Sequence, residues 1–263
     1  MVDINKKKFN IDDLLEIMRD LRKPGGCPWD REQDHHSIRN DFIEETYEAI
    51  DAIDRESTVD MCEELGDVLL QVVFHSQIEA EKNGFDFQDV CDGICKKLIE
   101  RHPHVFGEIS VKNSRDVLEN WDMIKQKSKH QTTFTDTLKS VPMSFPALMR
   151  ADKVQKRAKK AGFDWDNVKD ASKKLDEELE EFKEALLEND GTQAEEEFGD
   201  LLFSMVNVSR FMGINSEKAL HAATDKFINR FEKTEIIAQK KGIDMKKSSL
   251  ETLDRLWEEA KRS

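Results

Sequence analysis

The chain has 263 residues, of which 37% are charged and 8% aromatic, with 11 Gly, 5 Pro and a formal net charge of −14 at pH 7. That length allows one large or two small domains, and the shortage of Gly, Pro and aromatics beside abundant Glu, Lys, Leu, Ile and Ala argues against a sheet-rich fold and for an all-α one. The negative balance argues against a nucleic-acid partner, because a broad polyanion surface needs a dominant basic field.

The amino-terminal MVDINKKKFN is charged and lacks an apolar segment, so no secretory signal is expected and the cytoplasm is the expected location. Apolar runs such as Val68-Leu69-Leu70 fall far short of the roughly 20 residues that cross a bilayer, so no membrane partner is expected. The first strong feature is EETYE at 44–48. On a helix Glu44, Glu45 and Glu48 crowd one side, at a cost of roughly 0.2–0.5 kcal/mol per like-charge pair. They form either a solvated acidic face or a cation site. Ile43, Tyr47 and Ile50 predict one apolar stripe, and Leu65, Val68, Leu69, Val72 and Val73 the next, with RESTVD at 55–60 as the turn between them. Cys27, Cys62, Cys91 and Cys95 include no CxxC pair and read as half-buried thiols. His102-Pro103-His104 reads as a structural loop.

Pro142 and Pro146 interrupt helical periodicity within 127–150, which sets domains at 1–130 and 131–263. KVQKRAKK at 153–160, followed by Lys169 and Lys173, is either a solvated face or a lure for polyanionic substrate. A second acidic helix follows with EELEE at 177–181. END-G at 188–191 occupies the place of the earlier turn, with Gly191 expected to stop the helix.

Sliding the sequence by 133 residues superposes Glu44 on Glu177, Glu45 on Glu178, Glu48 on Glu181, Glu63 on Glu196, Glu64 on Glu197, Gly66 on Gly199, Asp67 on Asp200 and Leu69 on Leu202. A shift of 136 superposes Gly26, Trp29 and Asp30 on Gly162, Trp165 and Asp166, and Trp121 and Lys125 on Trp257 and Lys261. An ordered series of acids, Gly, Trp and Lys across most of each half means a tandem repeat of two helical-bundle domains. Each half would then hold two acidic helices as an antiparallel hairpin. Glu45 and Glu48 on one helix and Glu64 and Asp67 on the next could converge on one point. Four hard oxygen donors without His or Cys suit Mg²⁺ or Mn²⁺, and a nucleotide is the natural partner of such a metal. A di-iron centre would need Glu-x-x-His, whereas the chain has Glu64-Leu-Gly-Asp67 and Glu197-Phe-Gly-Asp200.

The pattern EExxE, a gap, then ExxD resembles the MazG family of all-α nucleoside triphosphate pyrophosphohydrolases, and occurs twice, as Glu44-Glu45-x-x-Glu48 with Glu64-x-x-Asp67 and as Glu177-Glu178-x-x-Glu181 with Glu197-x-x-Asp200. GGCPWDREQ, ERHPHVFG, KVQKRAKKAGFDW and FGDLLF are similar to segments of its two-domain bacterial form. The resemblance implies Mg²⁺-dependent hydrolysis of nucleoside triphosphates between the α and β phosphates, broad base tolerance and a homodimer. It makes Glu178, Glu181, Glu197 and Asp200 metal ligands, with Glu45, Glu48, Glu64 and Asp67 as their counterparts. Glu177, about 100° around the helix from Glu178, becomes either a candidate general base, catalytic with Glu178, or a residue that holds the ligands in place, and Glu196 an acid behind the ligands. Lys174, Lys226, Arg230 and Lys261 are the expected phosphate cations, and Trp257 a stacking surface for the base. Lys97 and Arg101 repeat the spacing of Lys226 and Arg230 at a shift of 129. The second half, with the fuller set of cations, is the expected catalyst. A helical module that binds metal and nucleotide without turnover is the competing reading.

Overall fold

The computed structural model describes residues 2–111, 113, 116–117, 120–121, 124, 131–188 and 190–262. No strand occurs among them. The chain divides into two compact units, Met1–Lys125 and Gln126–Ser263. The sequence-based boundary borders on residues 125–130, outside the described residues, as does Lys125.

Unit 1 runs through α1 (Ile11–Arg22), α2 (Pro28–Glu32), α3 (Arg39–Asp54), α4 (Thr58–Glu81), α5 (Phe87–Arg101) and the short α6 (Pro103–Phe106). Side-chain caps set several starts. Asn10 with Asp13, and Asp86 with Asp89, form capping boxes, and Ser57 accepts from the Asp60 amide at the head of α4. The turn into α4 places Glu56 at φ 56°, a left-handed conformation. Met18, Ile38, Val73, Phe74 and Ile78 form the core.

Unit 2 holds α7 (Phe134–Lys139), α8 (Ala147–Lys160), α9 (Val168–Glu188), α10 (Gly191–Phe211), α11 (Ser216–Lys240), a 3₁₀ turn (Met245–Lys247) and α12 (Leu250–Ala260). Gly191 opens α10 and does not stop α9. The Asp190 side chain accepts from the Thr192 and Gln193 amides and so starts a new helix there. Among the glycines that do end helices is Gly162, at φ 82°, where the Phe163 amide returns to the Ala158 carbonyl and closes α8; Gly213 and Gly242 close α10 and α11 in the same way.

Two hairpins dominate, α3 with α4 and α9 with α10. Along α9 the buried residues are Ala171, Glu178 and Ala185, spaced by seven, so two small side chains let the helices approach and an acid lies between them. The same register in α3 gives Ile38 before the helix, then Glu45 and Ala52, with Ala52 fully buried. This seam rotates the predicted stripe outward: Ile43, Tyr47 and Ile50 are 42–44% exposed. In α4 the second stripe splits, with Val73 buried and Leu65 and Leu69 exposed. Among the described residues no helix is long and apolar enough to cross a membrane.

Candidate active site

The two seams collect acids. In unit 2 the carboxylates of Glu178, Glu197 and Asp200 come within 4.8 Å of one another, and in unit 1 those of Glu45, Glu48 and Glu64 do the same. Three of the four acids expected in each half therefore meet, but the odd one differs. Glu181 stands outside the unit 2 group and Asp67 outside the unit 1 group. Both remain close enough for their charges to be felt. Desolvation, then the charges of Asp67, Glu48 and Glu64, hold the Glu45 carboxyl above its ordinary range, and desolvation with Glu48 and Asp67 does so for Glu64. Glu181 is raised by desolvation and by Glu178 and Glu197, against the pull of Lys174.

A three-carboxylate, all-oxygen set without His or Cys fits a hard divalent cation such as Mg²⁺ or Mn²⁺, with room left for water and phosphate oxygens. Such an ion would offset the repulsion that lifts these groups.

Lys174 distinguishes the two clusters. Its Nζ lies 2.7 Å from Glu177 and 2.8 Å from the buried Glu178, and these two bonds raise its own pKa. The repeat places Asp41 at the equivalent position of unit 1. Among the described residues no Lys or Arg forms an ion pair with Glu45, Glu48 or Glu64. Arg55, at the rim of the open cleft beside Glu44, Glu48 and Glu64, is bound 2.7 Å from both Asp51 and Asp60. Glu177 is exposed and touches Lys174; Glu196 is exposed.

The remaining expected residues form a second group on α11 and α12. Arg230 lies over the Trp257 ring at 5.1 Å, Phe227 packs against the same ring at 5.0 Å, and Lys261 pairs with Glu258. Lys226 is exposed. No hydrogen bond or ion pair joins this group to the carboxylates among the described residues. Unit 1 repeats its anchor, with Arg101 over Trp121 at 5.0 Å.

The basic run on α8 is largely occupied in unit 2. Lys156 pairs with Asp152, Lys159 with Asp164, and Arg157 donates to the Thr137 carbonyl and to Ser140. Lys173 pairs with Asp170. Sequence reasoning missed four residues of another pocket in this unit: Gln155, Asp164, Asn207 and Arg210. Arg210 forms an ion pair with Asp164, their side chains 5% and 12% exposed. Burial pushes the Asp164 carboxyl up, but the Arg210 hydrogen bond and charge, with Lys159, together hold it below its ordinary range. The only available signal was the repeat itself, which sets Phe74 opposite Asn207 and Gln77 opposite Arg210.

The MazG nucleotide pyrophosphohydrolase domain matches twice, over residues 33–106 and 167–234, so each hairpin falls within one match. A nucleoside triphosphate pyrophosphohydrolase of Escherichia coli K12 is 45% identical over 257 residues, covering 96% of this chain and 97% of its own. The nucleoside triphosphate pyrophosphohydrolase/pyrophosphatase MazG of Thermotoga maritima is 45% identical over 250 residues, 95% of each chain. With its paired acidic hairpins and this near full-length likeness, the chain belongs to the MazG nucleotide pyrophosphohydrolase family.

Proposed function

We propose that this nucleoside triphosphate pyrophosphohydrolase works with a divalent cation, Mg²⁺ or Mn²⁺, and that unit 2 is its centre of turnover. The observation that carries this is the unit 2 seam: Glu178, Glu197 and Asp200 within 4.8 Å, with Lys174 beside them. Two tandem domains, 1–130 and 131–263, are part of the proposal, supported by the two compact units and the two matched stretches.

When bound, the cation supplies charge neutralisation along the triphosphate. Glu178, Glu197 and Asp200 would hold it, with Glu181, one turn beyond Glu178, as a further oxygen donor. Lys174 leaves Glu177 and turns to a phosphate oxygen. That frees the exposed Glu177 carboxylate to take a proton from water as its oxygen attacks the α phosphorus. The bond from the α phosphorus to the bridging oxygen breaks, giving a nucleoside monophosphate and pyrophosphate. Glu196 supports the acids from the same helix. Lys226, Arg230 and Lys261 take the β and γ phosphates, with Trp257 as the platform that fixes the Arg230 guanidinium.

The outward apolar face of the unit 2 hairpin supports a homodimer. Leu179, Leu186, Phe198 and Met205 are 37–53% exposed on α9 and α10, and a second copy would cover them. The four thiols are free, which suits the reducing cytoplasm.

Pyrophosphate release from a panel of nucleoside triphosphates with Mg²⁺ tests the reading, with Glu178→Ala and Glu45→Ala compared. Release lost in the first variant and kept in the second is the expected result. No release from the unaltered protein would favour a binding module without turnover.

A further inference from the structure

The loop that leads into α3 is tied to α4 by three side chains outside the acid cluster. His35 Nδ1 lies 2.7 Å from His75 Nδ1, and His35 Nε2 lies 2.7 Å from a carboxylate oxygen of Glu79. The two rings are parallel to within 5°, with centres 5.0 Å apart. That separation matches the nitrogen contact plus the two ring radii, so the imidazoles meet edge to edge, each Nδ1 aimed at the other. Phe42 of α3 packs against the His75 ring at 5.7 Å, and Lys82 reaches the same Glu79 oxygen at 3.4 Å. On the loop itself, Asp34 is occupied by the amides of His36 and Ser37. In unit 2 the 133-residue register sets Val168, Val208 and Met212 opposite His35, His75 and Glu79, so unit 2 has no side chains for the same tie.

The partners dictate where the protons sit. The hydrogen bond with His35, helped by Lys82 against burial, holds the Glu79 carboxyl below its ordinary range. Glu79 is therefore the acceptor, and His35 donates from Nε2. A neutral His35 then has a bare Nδ1, and His75 carries its own proton on Nδ1 to donate to it. One added proton fits: His35 becomes a cation between Glu79 and His75, while His75 shifts its proton to Nε2 and accepts. A second does not. It leaves two N–H groups and two positive charges facing each other across a hydrogen-bond distance. Burial, then the charge of His35, hold His75 below its ordinary range. Among the described residues no charge from α1, α3 or α5, which also pack on α4, acts on it. Three residues after His35, Ile38 is 1% exposed in the core and heads the seam that continues through Glu45.

We propose that His35, His75 and Glu79 form a one-proton latch, which mild acid opens, freeing the loop before α3 and loosening the head of the unit 1 hairpin. The sign follows from counting protons. The open loop exposes two ordinary histidines, which bind two protons below about pH 6.5, whereas the closed latch holds one. Opening therefore takes up one proton, and the closed form loses about tenfold in relative population for each pH unit below that value. Above it the histidines of the open loop are neutral, and opening gains nothing. The depressed His75 has the matching sign, because its contribution to stability is complete above the unfolded value and is lost as pH falls towards the folded one.

Amide hydrogen exchange of the full chain, corrected for its intrinsic pH dependence, tests the latch. Between pH 6 and pH 5, protection over residues 34–45 is expected to fall about tenfold, and over 167–178 in unit 2 less than about threefold. Histidine-selective NMR at about pH 7.5 is expected to show His75 as the Nδ1–H tautomer. His35→Val combined with His75→Val, the unit 2 residues, should abolish the pH response, with a thermal melt to verify folding. Glu79→Gln should steepen it towards about a hundredfold per pH unit, because the closed pair then lacks the carboxylate that supports its one proton. An unaltered protein without the response, a folded valine variant that keeps it, or His75 in the Nε2–H form would overturn the proposal. Should the valine variant not fold, the Glu79→Gln slope decides, and a slope equal to that of the unaltered protein overturns the latch.

Discussion

In unit 1, Glu45, Glu48 and Glu64 face one another across a seam whose neighbouring position is Asp41; in unit 2, Glu178, Glu197 and Asp200 share theirs with Lys174. The backbone that gathers the acids is the same: a seven-residue seam with an acid at its centre along the first helix, Ile38-Glu45-Ala52 or Ala171-Glu178-Ala185, and an acid pair three apart on the second. What differs is the next layer. On α4, unit 1 places the core residue Phe74 under a buried Arg22, and on α10, unit 2 places Asn207 at a pocket wall. A cluster of three carboxylates is thus what the repeat preserves, with two of the acids drawn from α3 in unit 1 and from α10 in unit 2, while the supply of positive charge is where the halves part. A metal site needs only the first; turnover of a triphosphate needs both.

The largest expected effect tests that division directly. Glu178→Gln should lower kcat/KM for pyrophosphate release by about 10³-fold, the scale of losing a charged group that supports the transition state, whereas Glu45→Gln should stay within about threefold. Equal losses would place turnover in both units. Next comes stability, where the halves solve one problem with different residues. Removing one partner of a buried ion pair costs about 3–5 kcal/mol. Arg210→Ala should approach the lower figure in urea unfolding, because Lys159 remains beside Asp164. Arg22→Ala should cost less in unit 1, because the Glu81 side chain is 37% exposed and water can take over its charge, but should open a cavity over Phe74, detectable as new binding of a small apolar probe.

Much of this layout was legible in the sequence, because the repeat is exact in register over the acids. EExxE and ExxD at helical spacing brought three of the four expected acids together in each half, without Asp67 and Glu181, and the gap between them required a hairpin. The face of each helix was harder. Ile43, Tyr47 and Ile50 read as a core stripe, yet the seam chose Ala49 and Ala52, since close helix approach favours small side chains over large ones. Gly191 read as a helix stop because glycine usually is one; the Asp190 cap one residue earlier decided otherwise. The Asp164–Arg210 pair joins residues 46 apart whose unit 1 counterparts are uncharged, so no local pattern announced it. Asp41 opposite Lys174 was available from the register alone.

That last contrast can be reversed by mutation. Lys174→Asp, which gives unit 2 the unit 1 residue, should raise KM for a nucleoside triphosphate about 10- to 100-fold, since it removes a phosphate cation and adds a charge of the wrong sign. Lys174→Gln should do less. The mirror change, Asp41→Lys, should raise the melting temperature of the metal-free protein slightly by relieving repulsion around Glu45, and added Mg²⁺ should narrow the gap. A higher melting temperature that Mg²⁺ leaves untouched would mean that unit 1 holds no divalent ion.

The smallest effect lies in the acid limb of stability, and its sign follows from the carboxylates paired with the two buried arginines. Asp164 is held below its ordinary range by Arg210 and Lys159 against the opposing effect of burial, and Glu81 by Arg22 and Gln77 against the same opposition. A carboxylate depressed in the folded state binds fewer protons there than in the unfolded chain. Its contribution is therefore complete above the unfolded value, about 3.9 for Asp and 4.3 for Glu, and is lost as pH falls through the folded one. Neither pair should alter stability between pH 8 and 6. Below that plateau unit 1 should begin to weaken at slightly higher pH than unit 2, because Glu81 starts from the higher unfolded value. Asp164→Asn should cost stability at pH 7 and lose most of that difference by pH 3, where the unaltered carboxylate is itself protonating. Urea midpoints measured at both pH values check this. A cost that is the same at pH 7 and pH 3 would mean that Asp164 contributes by packing and hydrogen bonding alone, and that the charge of the pair does not separate unit 2 from unit 1.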